Sequence, residues 1–220
     1  MAEEMLTRPP HANGSTGRPP QSAEEAADDW RDAVFANRGT LLALPAVALA
    51  AFGKPSAFSI ATGLPLAFAG EFLRCWAVGY SGVTTRSDRV TAPALTTAGP
   101  YAYVRNPLYL GNFMTAAGFA LAFTGKVSAR KRAALIALGL GSMAAIYATI
   151  VPLEEAYLRK TFGSAFDEYV ERVPQIVPQF EAAEPQRGTY DPAVIGKAET
   201  NTFATFSGML AVLALKALRA

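Results

Sequence analysis

Three groups of residues have types and spacings that could do chemistry. Residues 99–112 read GPYAYVRNPLYLGN, which gathers Arg105, Asn106, Asn112 and the tyrosines 101, 103 and 109 at the mouth of a long apolar stretch. Glu154 and Glu155 stand side by side at the end of a later one, and Glu71 and Arg74 lie within another. The chain has one histidine, His11, and one cysteine, Cys75. That leaves no set for the usual zinc sites, no imidazole base in a structured segment and no intramolecular disulfide. Carboxylates, Arg, Tyr, Asn and backbone groups remain. Such groups bind and orient, so a cofactor that brings its own reactivity suits the chain.

The elements that must position these residues follow from where the apolar residues fall. Of 220 residues 51% are hydrophobic and 17% charged. The apolar ones come in blocks, at Thr40 to Phe52, Phe58 to Tyr80, Leu108 to Phe123, Ala133 to Leu153 and Phe203 to Leu218. About 20 apolar residues cross a bilayer core, and about 17 is near the lower limit. The expectation is an all-α polytopic membrane protein of about five transmembrane helices, the first and last weakest on length. Net charge is +2 and no basic stripe is interleaved with aromatics, so no nucleic-acid partner is implied. Residues 1–36 are rich in Pro, Gly, Ser, Ala and acids, lack apolar periodicity, and read as a disordered tail before a domain at 37–220. The acids Glu24, Glu25, Asp28, Asp29 and Asp32 read as a solvated charge run, with a short surface helix carrying Trp30 as the competing reading.

Glu71 and Arg74 share one helix face and are able to pair. A charge near a bilayer centre costs about 2.5 to 3.5 kcal/mol on insertion scales, so both should face a bundle interior or polar cavity, unless Arg74 snorkels to the interface. From Ser81 to Arg105 runs a polar connection holding Arg86, Asp88 and Arg89. The β-branched residues and Pro93 within 91–97 favour extended backbone. Gly99-Pro100 marks a turn, and Tyr101 and Tyr103 alternate as in a short extended piece. Asn106 suits a helix N-cap and Pro107 the first helical position, where its missing amide hydrogen is not needed. Gly111 and Gly118 read as packing devices. The basic loop from Gly125 to Arg132 reads as a membrane-surface anchor. Paired carboxylates suit a helix C-terminus poorly, so the helix should continue past Glu155 to Phe162 and break at Gly163. A short amphipathic piece with Phe166, Tyr169 and Val170 then lies against the membrane face and ends at Val173-Pro174, before a proline-rich return through Pro178 and Pro185.

Taken in order, GPYAYVRNPLYLG, Glu154-Glu155, Phe162-Gly163, Tyr169 and Val173-Pro174 resemble the membrane methyltransferases typified by isoprenylcysteine carboxyl methyltransferase, which share features with the phospholipid N-methyltransferases. The likeness covers about residues 60 to 180. It implies S-adenosylmethionine in a pocket at one membrane face. Ala94, Leu95, Thr96 and the ring of Tyr101 would border the adenosine. Asn106, Pro107, Leu108 and Tyr109 would contact the cofactor, Glu154 would hold its polar end, and Arg86 falls at a polar cofactor contact. The chemistry of these groups agrees, since a carboxylate suits an ammonium and tyrosine rings suit a sulfonium or an adenine face. Two positions depart from the family pattern. Asn106 replaces the motif histidine, keeping a donor and an acceptor but no titratable group. Ile150 stands where the eukaryotic enzymes hold a substrate carboxylate with an arginine, leaving Arg74 or Arg105 for that role.

The resemblance therefore implies methyl transfer to a lipophilic acceptor entering from the bilayer: a prenylcysteine-like carboxylate, a phospholipid amine or another lipid. Arg105 would orient the acceptor or Glu154, Glu155 would take a proton from an amine, and Glu71 and Arg74 would meet the substrate. Two other classes compete. A sterol-type membrane reductase would use NADPH at a comparable pocket, and a non-catalytic scaffold would use the polar motif only to cap helices. Basic residues near the blocks are almost balanced between the two faces, so charge does not set orientation. The methyltransferase reading requires the motif side to be cytosolic.

Overall fold

The computed structural model describes residues 23–82 and 94–219. Arg86, Asp88, Arg89, Pro93 and residues 1–22 of the expected tail lie outside them. Every regular element among the described residues is helical. In chain order these are α1 (Ala23–Phe52), α2 (Ala57–Ser81), a 3₁₀ turn (Gly99–Ala102), α3 (Pro107–Phe123), α4 (Ala129–Ile136), a π turn (Ala137–Gly141), α5 (Ser142–Phe162), α6 (Ser164–Arg172) and α7 (Ala193–Leu218). All five apolar blocks fall within helices. Residues 23–36, expected in the tail, are helical and continue into the first block. The run 129–132, expected as loop, forms the first turn of α4, where the Ser128 hydroxyl caps the Lys131 amide at 3.4 Å.

Among the described residues two helices are long and apolar enough to cross a membrane: the continuous stretch Ala129–Phe162 and α7. Asn37–Phe52 and Pro107–Phe123 are shorter apolar helices. At 17 residues α3 rises about 25 Å, just under a typical hydrocarbon core of about 30 Å. Helix α2 has the length, but Glu71 and Arg74 lower its hydropathy.

α2 and α3 form the closest pair, and small residues are the reason. Gly63, Ala67 and Gly70 on one helix face Gly118, Thr115 and Gly111 on the other in antiparallel order, and a Cβ on any of these four glycines would collide with the opposite helix. Backbones that approach this closely gain dispersion contacts which lipid chains cannot supply. The Ser59 hydroxyl seals one end of the pair with a 2.8 Å bond to the Ala122 carbonyl. α7 runs antiparallel along α2. Arg74 meets Glu199, Phe68 packs edge-on against Phe206 at 5.1 Å, and Lys216 reaches the Gly53 carbonyl at 3.1 Å. A second apolar cluster, Met143, Ile146, Tyr147, Ile150 and Val151 of α5, packs against Val34, Leu41 and Leu42 of α1 and Tyr109, Phe113 and Ala116 of α3.

The helix through the glutamate pair continues to Phe162 as expected, and Gly163 ends it with φ +55°, a conformation that favours glycine. α6 then places Phe166, Tyr169 and Val173 in a small buried cluster that also takes Leu95, Leu158 and Ala183. The segment 99–104 differs from expectation. Instead of an extended piece it coils into the 3₁₀ turn, with the Tyr103 and Val104 amides both reaching the Pro100 carbonyl at 3.1 Å. Pro100, with fixed φ and no amide hydrogen, suits the start of such a turn.

Candidate active site

The ends of α2, α3 and α5, the start of α7, the 3₁₀ turn and α6 meet at one end of the bundle. The chain beyond α6 straps them together. Gln179 donates its backbone amide to the Tyr103 carbonyl at 3.0 Å, Ala183 donates to the Ala102 carbonyl at 2.9 Å, and Arg105 donates to the Pro174 carbonyl at 2.8 Å. The Thr97 and Ala98 amides both bond the Arg187 carbonyl, at 2.8 and 3.1 Å. Leu95 and Thr96, expected beside a cofactor, are thereby held half-buried next to the 3₁₀ turn, and Ala94 is exposed beside them. Tyr101 is half-buried; its carbonyl accepts a 2.8 Å bond from the Tyr169 hydroxyl, and desolvation pushes its own phenol up to about 12. Burial likewise raises Tyr169. Both phenols stay neutral and able to donate through the physiological range.

At the mouth of α3 the tyrosine and glutamate expected together do meet. The Tyr109 hydroxyl donates to Glu154 Oε1 at 2.7 Å, both side chains half-buried, and the carboxylate keeps acceptor capacity for a second partner. Asn106 occupies the N-cap position but makes no side-chain cap; its amide turns outward to the Gln175 carbonyl at 3.2 Å. Pro107 is buried at the first helical position, and Leu108 is half-buried next to it.

Arg105 and Glu155 find each other. The guanidinium donates to Glu155 Oε1 through Nε, and its Nη2 lies at 3.1 Å from the same oxygen. Its Nη1 donates to the carbonyls of Val170 at 3.3 Å and Val173 at 2.6 Å. The arginine thus fastens the last turn of α6 to α5, satisfying carbonyls that a helix C-terminus leaves unpaired. It lies against Glu155, the neighbour of the glutamate it was expected to orient.

Glu71 and Arg74 share a face of α2, and Arg74 bonds Glu199, 125 residues along the chain. Arg74 Nη2 donates to both Glu199 oxygens at 2.9 and 2.7 Å and approaches the Thr202 hydroxyl at 3.4 Å. Its Nη1 bonds Asn112, whose amide in turn donates to the Tyr147 hydroxyl at 2.6 Å. The Tyr147 ring lies 4.3 Å from that of Tyr109. A polar chain therefore runs from α7 through the interior to Tyr147, whose ring packs on Tyr109, and Arg74 does not snorkel.

Sequence reasoning missed Glu199 and Tyr147, and gave Asn112 no role. Glu199 precedes the last apolar block, so it reads as part of the polar return. A carboxylate one turn before the last apolar block, in a chain with a buried arginine, was the available signal.

Residues 58–165 match the family model described as phospholipid methyltransferase. The chain is 33% identical over 113 residues to a protein-S-isoprenylcysteine O-methyltransferase of Schizosaccharomyces pombe, covering 50% of this chain and 45% of that one. It is 30% identical over 120 residues to protein-S-isoprenylcysteine O-methyltransferase B of Arabidopsis thaliana, covering 53% and 57%. The chain thus spans about half the length of these relatives. No solved structure matches significantly. The resemblance carried by the motifs is borne out, and nothing in the comparisons supports a reductase or a scaffold.

Proposed function

We propose, from the premise that residues 58–165 are a phospholipid methyltransferase segment, that the chain transfers a methyl group from S-adenosylmethionine to a lipophilic acceptor within a membrane. The observation that carries this reading is the Tyr109–Glu154 pair at the end of the bundle, with Tyr101 close enough to feel the Glu154 charge. The donor set fits the cofactor. Glu154 holds its ammonium or ribose hydroxyls, Tyr109 fixes the carboxylate, and the Tyr101 ring and the backbone at 94–96 border its adenosine. When bound, S-adenosylmethionine supplies a methyl group already activated on a sulfonium.

The protein's task is then positioning and exclusion of water, which can lower a barrier by about 7 to 11 kcal/mol in favourable cases. Arg105 and Glu155 serve this by locking α6 and the strap over the site. Neither needs to touch the acceptor. A carboxylate acceptor is the less supported choice, because Ile150 is fully buried among apolar side chains and both arginines that could replace its cation are engaged by protein carboxylates. The domain is 37–220 together with the helical residues that lead into it, crossing the membrane with five helices and the motif side in the cytosol. Exposed Phe58, Phe68, Phe72 and Leu218 suit contact with lipid.

Incubating the purified protein with methyl-labelled S-adenosylmethionine and extracted membrane lipids tests the reading. Label should appear in an organic-phase product. Label confined to the aqueous phase, at saturating cofactor, would sink it.

A further inference from the structure

One face of α1 joins the site from outside the matched segment, which begins at residue 58. Val34, Leu41 and Leu42 of α1 pack against the Tyr147 and Ile150 cluster of α5, which Tyr109 of α3 also meets. Arg38 stands four residues after Val34 and three and four before Leu41 and Leu42, so it shares their face, and it is half-buried there. A cation on the inward face of a membrane helix is costly, and such residues mark polar sites. Snorkelling would carry Arg38 away from this face. Instead it lies near enough to the Tyr109 and Tyr147 hydroxyls and the Glu154 carboxylate to act on the charge of each.

The amino-acid end of S-adenosylmethionine is a zwitterion, an α-ammonium beside an α-carboxylate. Glu154 answers only the ammonium and would repel the carboxylate unless a cation stood alongside. Arg105 directs its donors to Glu155 and the carbonyls of Val170 and Val173, and Arg74 directs its donors to Glu199 and Asn112. We propose that Arg38 binds the cofactor's α-carboxylate, so that Arg38 and Glu154 hold the two charges of the zwitterion and α1 forms a wall of the cofactor site. The inference rests on the methyltransferase reading above. A planar guanidinium matches a carboxylate with two parallel N–H donors, and its five donors leave room for a protein partner as well. The pairing assigns Glu154 to the ammonium rather than to the ribose. Two points of attachment also fix how the chain bearing the sulfonium is turned, the orientation that methyl transfer needs.

The test is calorimetric titration of the purified full chain in detergent with two compounds, S-adenosylmethionine and its decarboxylated analogue, which lacks only the α-carboxylate. The wild-type chain should bind S-adenosylmethionine at least about tenfold more tightly, the lower end of what a hydrogen bond between charged groups supplies. Arg38→Gln should weaken S-adenosylmethionine by that factor and leave the affinity for the analogue unchanged, so the preference disappears. Arg38→Lys, which keeps the charge without the fork, should restore part of it. Arg38→Met keeps the stem that packs on α1's neighbours and serves if Arg38→Gln fails to fold, with the melting temperature as the check. Equal affinity of the wild-type chain for the two compounds would overturn the proposal. So would a folded Arg38→Gln or Arg38→Met variant that keeps the preference or weakens both compounds alike. In those cases the methyltransferase reading stands, because S-adenosylmethionine still binds the wild-type chain. Binding of neither compound to the wild-type chain would overturn both.

Discussion

At the scale of single residues, two interactions matter most, Tyr109 with Glu154 and Arg74 with Glu199. The Tyr109 hydroxyl fixes Glu154, so Tyr109→Phe should weaken cofactor binding by about 1.5 to 3 kcal/mol, the usual worth of a hydrogen bond to a charged group. Calorimetric titration of the variant, with its melting temperature as a control for folding, checks this. Glu154→Ala should abolish binding outright while expression is retained. Arg74 and Glu199 form a buried ion pair, with side-chain exposures of 10% and 1%. Removing one partner strands the other, so Glu199→Ala should destabilise the fold by about 3 to 5 kcal/mol, visible as a fall in the unfolding midpoint in detergent. A normal midpoint would mean that Arg74 had found water or another partner. The sequence made Tyr109 and Glu154 legible because their motifs are local. It did not reach Glu199 as a partner of Arg74, since helix spacing reveals neighbours within a turn and says nothing about a carboxylate 125 residues away.

At the scale of elements, the apolar blocks translate directly into helices because a segment that is apolar all round must satisfy its backbone internally. Their number as membrane spans follows less directly, since α3 is short and α2 carries two charges. Pro107 at the start of α3 and Gly163 at the end of α5 were readable from residue type alone, because each answers a backbone requirement at that position. The 3₁₀ turn at 99–102 was not readable. Its shape depends on the strap at 174–187, which bonds its carbonyls from far along the chain. Close packing of α2 on α3 gives a sharp prediction. Gly111→Leu places a side chain against the backbone of Gly70 and the stem of Arg74 and has nowhere to relax. The variant should lose stability, and the polar chain through Arg74 should be disrupted with it. By contrast Gly141→Ala, with open space around its Cβ, should be neutral in the same melting assay.

At the scale of the whole molecule, the bundle joins a polar end, where Arg105 and the strap fasten α6 and the 3₁₀ turn, to an apolar interior. The proposed reaction needs both, because a charged donor and a lipophilic acceptor share no solvent. It also fixes topology: a reporter placed after Pro185 should be cytosolic, and its appearance on the opposite face would separate the site from the compartment that supplies the donor. The measurement that bears most directly on the central claim is titration of the purified chain in detergent with S-adenosylmethionine and, separately, with NADPH. The account predicts saturable binding of S-adenosylmethionine, lost in Glu154→Ala, and no saturable binding of NADPH. Absence of S-adenosylmethionine binding to the folded wild-type chain would contradict it.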